Sequence, residues 1–176
     1  MKIDYEQLQI AMSSNDPMGL GQHYLDTETG DVLLVSDWVE GESRKFDDPA
    51  AIEDETLRLT WYHLWCDSEV GIELSEAEER SMTRQSDACL KRFLVVPQAD
   101  SHEAYQDMAD FADTIASSHL RKLLQVALNG RSPFRRFKDV LYNHQAEREQ
   151  WFAFSAQRWR ERTDDWLEME GMLSDD

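Results

Sequence analysis

Glycine and proline are scarce in this chain, 7 and 4 among 176 residues, which excludes collagen-like and low-complexity architectures. Cys66 and Cys89 are the only cysteines and form no CxxC pair. They are too few for a disulfide scaffold, and their simplest reading is two reduced thiols in a cytosol. Long apolar runs are also missing. Val32 to Val35 and Leu94 to Val96 are the longest aliphatic stretches, far short of the ~20 residues that span a bilayer. Residues 1–12 carry Asp4 and Glu6 and have no apolar stretch of secretory length. A cytoplasmic protein with no membrane partner is expected. Bases are outnumbered two to one, 18 Lys and Arg against 36 Asp and Glu, for a net charge of −18. That balance argues against whole-surface binding to nucleic acid or anionic lipid. GxSxG, P-loop, GxGxxG and HExxH motifs are absent.

What is present suits a globular protein. Apolar residues make up 41% of the chain and include 18 aromatics. A chain of this length buries roughly 70% of its unfolded surface, so the length predicts a single domain over 1–176. The charge is unevenly spread. Residues 114–163 hold 10 bases and 4 acids, a net of +6, while the remainder carries −24. A basic segment in an acidic molecule marks either a binding face or a surface that neutralises the protein's own acids.

The pattern along the chain predicts an α+β fold. A helix is expected over Asp4 to Met12, stopped by Ser13 to Pro17. His23 to Asp26 and Asp31 to Val35 flank Thr27-Glu28-Thr29-Gly30 and predict a β-hairpin, with Gly30 free to take a positive φ. Trp38 to Asp48 is polar and reads as a loop. A helix is expected from about Pro49, with Ile52, Leu57, Trp61, Leu64 and Trp65 as its apolar stripe. Ser75 and Glu78 form a capping-box pattern for the next helix, to about Cys89. Arg92 to Val96 reads as a third strand beside the hairpin, ended by Pro97.

Beyond Pro97 the pattern is helical. Asp100 or Ser101, Ser117 or Ser118, and Ser132 with Pro133 mark three helix starts. Gly130 stands where a C-cap glycine belongs. Leu120, Leu123, Leu124, Ala127 and Leu128 form one buried stripe. Phe134, Phe137, Val140 and Leu141 form another, with Arg135, Arg136, Lys138 and Asp139 opposite. A long final helix is expected over Ala146 to Glu170, and the tail from Ser174 is expected to fray. The expected architecture is a small, roughly three-stranded antiparallel sheet with a mainly helical C-terminal half.

Five motifs in order carry a resemblance: Tyr24-Leu25-Asp26-Thr27-Glu28-Thr29-Gly30, Ser101-His102-Glu103-Ala104-Tyr105, Asn129-Gly130-Arg131, Phe134-Arg135-Arg136-Phe137-Lys138-Asp139-Val140-Leu141 and Trp151-Phe152-Ala153-Phe154. With Arg92-Phe93-Leu94, the chain resembles an uncharacterised protein family of small acidic bacterial proteins. The resemblance covers 24–36 and 91–167, about half of the chain, and leaves 38–90 as a helical elaboration. It implies the α+β layout and a bacterial source, and contributes no catalytic residue.

The chemistry-bearing residues divide between binding and packing. Arg131 ahead of a helix start, with Arg135, Arg136 and Lys138 on the helix, is a candidate anion or partner site. The alternative is that these bases solvate or pair with acids. His102, Glu103, Asp107 and Asp110 have spacings that could converge on a metal, as could His63 and Cys66. Isolated acids on a helix are usually a wet face, and one His–Cys pair is too little, so neither a metal nor a cofactor is assigned. Aromatics and arginines from Trp151 to Trp166 suit stacking on single-stranded bases or an ordinary core with arginine stems along it. The net charge favours the core. The functional expectation is a non-enzymatic, acidic protein that binds another protein as a regulator or adaptor. Two rivals stand: an acidic decoy that mimics nucleic acid, and an enzyme or anion-binding protein with a site near His102 and Arg131. The oligomeric state is not legible in the sequence.

Overall fold

Gly30 has φ +87° and closes the expected hairpin. In the computed structural model, which describes residues 2–13, 21–67 and 74–173, this hairpin is the centre of a three-stranded antiparallel sheet. Strands β1 (Gln22–Asp26), β2 (Val32–Val35) and β3 (Phe93–Val95) are arranged β2-β1-β3. Tyr24 stands opposite Leu33 on one side and Val95 on the other. The chain forms two compact units, Met1–Gln98 and Ala99–Asp176.

In the first unit, α1 (Tyr5–Ser13) lies against β2 and buries Leu8, Ala11 and Met12. The Ser13 to Pro17 stop signal falls mostly outside the described residues. Helix α3 (Glu55–Cys66) packs Leu59 against Tyr24, Val35 and Phe93 of the sheet. Its start differs from the expected one. Pro49 opens only a short 3-10 turn, Pro49–Ala51, and Asp54 caps α3 by accepting the Leu57 N–H at 2.9 Å. Helix α4 (Glu76–Arg92) carries the full capping box of Ser75 and Glu78.

The expected loop over Trp38 to Asp48 is corrected: Asp37–Ser43 is a helix, α2. Only Val39 and Ser43, four residues apart, turn inward, and Trp38 is exposed. The Ser43 hydroxyl donates to the Leu57 carbonyl at 2.9 Å and ties α2 to the start of α3. Asp37 and Glu40 in the first turn complement the helix dipole.

Asp26 organises the hairpin end. Its carboxylate accepts the Glu28 N–H at 2.9 Å, the Thr29 hydroxyl at 3.0 Å, and Nε and a terminal nitrogen of Arg92 at 2.8 and 2.5 Å. Gly30 sits inside this turn, and a Cβ there would stand 2.5 Å from the Lys2 carbonyl oxygen. Gly30→Ala therefore combines positive φ with a backbone clash. It is expected to cost roughly 1–3 kcal/mol, measured as a lowered denaturant midpoint at unchanged slope.

The second unit is four helices: α5 (Ser101–Thr114), α6 (Ser118–Leu128), α7 (Pro133–Tyr142) and α8 (Gln145–Met169). Asp100 and Ser117 cap α5 and α6 as the sequence predicts. Met108, Phe111, Leu120, Leu124, Phe137 and Leu141 form the centre of the core, with Trp151 and Phe154 packed on it. The Phe137 ring lies 6.2 Å from Phe111 and 5.0 Å from Trp151, both edge to face. Buried Asp107 on α5 accepts from Arg158 at 3.0 Å and from both terminal nitrogens of Arg162 at 2.7 and 2.8 Å, which fastens α8 to α5.

Four expectations in this unit are corrected. Leu123 is exposed, as is Phe134 at 37%. Gly130 does not take the left-handed conformation; Ser132 does, at φ +55°. Ser132 therefore makes no side-chain cap, and Pro133 alone supplies the start signal of α7.

Candidate functional site

Helix α7 separates its chemistry by face. Phe137 and Leu141 point into the core, and Arg135, Arg136 and Lys138 are exposed. Arg131, in the α6–α7 connection, is exposed as well. Of these four bases, only Arg135 has a carboxylate within 4 Å, Asp139 at 3.8 Å one turn on, with both side chains largely in solvent. Such a pair contributes little. Among the described residues, Arg131, Arg136 and Lys138 make no ion pair. The Arg136 guanidinium folds back over Gly130, so the missing side chain at Gly130 gives it room.

Beside Arg136 runs a groove of about 370 Å³ between α6 and α7, lined by Leu123, Val126, Arg136, Asp139, Val140 and His144 among others; Arg131, Arg135 and Lys138 do not line it. Val126 is 61% exposed. Leu123, which periodicity assigns to the core, is a wall of this groove. Phe134 and Tyr142, at the two ends of α7, are exposed too.

Other candidate residues serve packing. Arg158 and Arg162 are engaged with Asp107, and Asp110 and Glu103 join the same network at 2.9 and 3.6 Å. The acids that share helical spacing with His102 are thus held by arginines. His102 is exposed in the first turn of α5, and neither it nor Arg131 lines any of the three clefts described here. Among the described residues, no group of three His, Cys, Asp or Glu side chains could hold a metal ion. Cys66 lies 3.0 Å from the Ser86 hydroxyl. Cys89 borders a cleft with Glu55, Arg58, Tyr62 and Arg92. Burial pushes its thiol up to about 11 against the opposing pull of Arg58 and Arg92, so it carries almost no thiolate at neutral pH.

One cleft escapes sequence reasoning because its walls come from four separate segments. It measures about 480 Å³ and is bordered by Gln22 and Tyr24 of β1, Asp37 and Glu40 of α2, His63 and Asp67 at the end of α3, and Gln98. The Tyr24 and His63 rings meet at 5.3 Å. Burial lowers the His63 pKa below its ordinary 6.5, opposed by Asp67, so the imidazole is neutral at pH 7.

No helix among the described residues is long and apolar enough to cross a membrane. No solved structure matches the chain. A similar protein is UPF0158 protein PA5073 of Pseudomonas aeruginosa, 27% identical over 168 residues that cover 96% of this chain and 82% of the relative. That alignment extends through 38–90, the segment without a counterpart among the shared motifs. Residues 70–174 match the model of the family described as Uncharacterised protein family (UPF0158). That match spans more than half of the chain, and the chain belongs to UPF0158.

Proposed function

We propose that this protein is a non-enzymatic binding protein whose α6–α7 face docks an acidic segment of another protein. One observation carries the reading: in a chain of net charge −18, exposed Leu123 and Val126 border a groove that is also lined by Arg136, a base without an acid partner among the described residues. Unpaired bases need break no internal contact to bind. An apolar groove with Arg136 at its rim suits a segment that combines apolar anchors with an Asp or Glu placed to meet that guanidinium, as a helix laid into a groove does. The apolar part gives affinity, and the rim gives rate and orientation.

The test is photo-crosslinking from position 126 in the native host, with the captured peptide sequenced. Crosslinks to one acid-rich segment with apolar residues at helical spacing are expected. Arg135→Glu with Arg136→Glu should cut that capture at least tenfold at an unchanged melting temperature, and raised salt should do the same. Capture that is indifferent to both, or crosslinks scattered over unrelated segments, would overturn the reading.

A further inference from the structure

The cleft between β1, α2 and α3 lies in the first unit and is independent of the α6–α7 face. Its volume of about 480 Å³ is in the range that holds a small organic molecule. Three carboxylates border it, Asp37, Glu40 and Asp67, and none has a cationic partner within 4 Å among the described residues. The acids are not the only feature. Tyr24 is 8% exposed, and its hydroxyl has no hydrogen-bond partner among the described residues. That oxygen is nonetheless not sealed, and Tyr24 lines the cleft. Its partner is therefore whatever reaches it there, water or a ligand.

The helix ends at the cleft differ in sign: the seven-residue α2 begins there, where Asp37 and Glu40 offset its positive end. α3 ends at the cleft, with Asp67 as its C-cap, so the negative end of its dipole faces the space. The neutral His63 ring adds no positive charge. Gln22 anchors its amide nitrogen on the His23 and Val96 carbonyls at 3.0 and 2.9 Å, which leaves its side-chain oxygen as a further acceptor. No Lys or Arg lines the cleft. Three carboxylates with no Lys or Arg beside them make the space acidic.

We propose that this cleft binds a small organic cation with primary ammonium groups, of the linear diamine or polyamine class. An ammonium group brings three donors, which carboxylates and the Tyr24 oxygen can accept. Its alkyl chain suits the Tyr24 ring, Leu64 and Val35. The cleft is much larger than a bare ion requires, and the carboxylates are spread over two helices, which favours an extended cation over a metal.

Calorimetric titration of the full chain with spermidine and with 1,4-diaminobutane at 150 mM NaCl is the experiment. Saturable one-to-one binding is expected, with a shift of the His63 imidazole proton resonances. Glu40→Gln with Asp67→Asn should weaken it at least tenfold, and Tyr24→Phe severalfold, at melting temperatures near that of the parent. Glu76→Gln with Glu79→Gln, the same charge removed from the exposed start of α4, should leave it unchanged. Equal weakening by the α4 variant, or equal competition by magnesium chloride, would mean that polyamines merely neutralise an acidic surface, and the assignment would fall. It would fall equally if a lysine-containing peptide bound the cleft and neither amine did, since the site would then take a protein side chain.

Discussion

Phe137→Ala is expected to destabilise the second unit by about 3–5 kcal/mol, and Phe134→Ala by under about 1 kcal/mol. Both residues belong to the same i, i+3 stripe, so the contrast tests the structure and not the pattern. Phe137 is 0% exposed and sits among Phe111 and Trp151 with Leu141 behind it on the same helix. Truncation there removes edge-to-face contacts with both rings and leaves a cavity that close-packed neighbours fill only in part. Phe134 lies in the first turn of α7 and is 37% exposed, so its loss leaves no enclosed void. Denaturant unfolding followed by tryptophan fluorescence measures the difference, with Trp151 as the local reporter. Equal losses for the two variants would mean that Phe134 is buried in solution.

The same pair shows what was legible in the sequence. Helical periodicity gives the angle of a side chain around its axis, and by angle Phe134, Phe137 and Leu141 are equivalent. It does not give how far the neighbouring helices extend along that axis. Leu123 fails in the same way: right period, but next to a groove instead of a neighbour. Short-range chemistry read well wherever a backbone need and a side chain lie within four residues. The Ser75–Glu78 capping box, the Asp100 and Ser117 caps and the Gly30 turn are of that kind. Helix α2 was hidden because seven residues with a mid-helix Gly41 bury only Val39 and Ser43, too few points to define a period. The basic residues of the α6–α7 face were visible as a local excess of charge. The cleft of Tyr24 and His63 was not, since its members run from Gly21 to Gln98 in four separate segments and no spacing rule links them. The motifs behind the family resemblance turn out to be rich in framework. Asp26, Gly30 and Arg92 build the hairpin end, and Phe137, Trp151 and Phe154 build the helical core. They specify this fold without stating what it binds.

Arg92→Met should cost about 3–5 kcal/mol, because it strands a buried carboxylate instead of merely removing a surface pair. Asp26 is 2% exposed. Burial by itself would raise its pKa, but the hydrogen bonds from Arg92, the Glu28 N–H and Thr29, with the Arg92 charge, hold it down to about 2. A folded-state value below the unfolded 3.8 means that the unfolded chain takes up the proton first. The contribution, about 2 kcal/mol by linkage, is therefore complete above pH ~4 and is lost as pH falls toward 2. In the Arg92→Met variant the carboxyl keeps its burial and loses its cation, so its pKa must rise. Acidification then relieves the variant while it weakens the parent, and the stability gap between them should narrow as pH falls from 6 to 3. Asp26→Asn with Arg92→Met should cost less than Arg92→Met alone, since no stranded charge remains and Asn can still accept the Glu28 N–H. Urea unfolding of the parent and these two variants at several pH values decides it. A gap that stays constant with pH would show that Arg92 acts through packing on Phe93, 5.1 Å from its guanidinium, and not through the charge of Asp26.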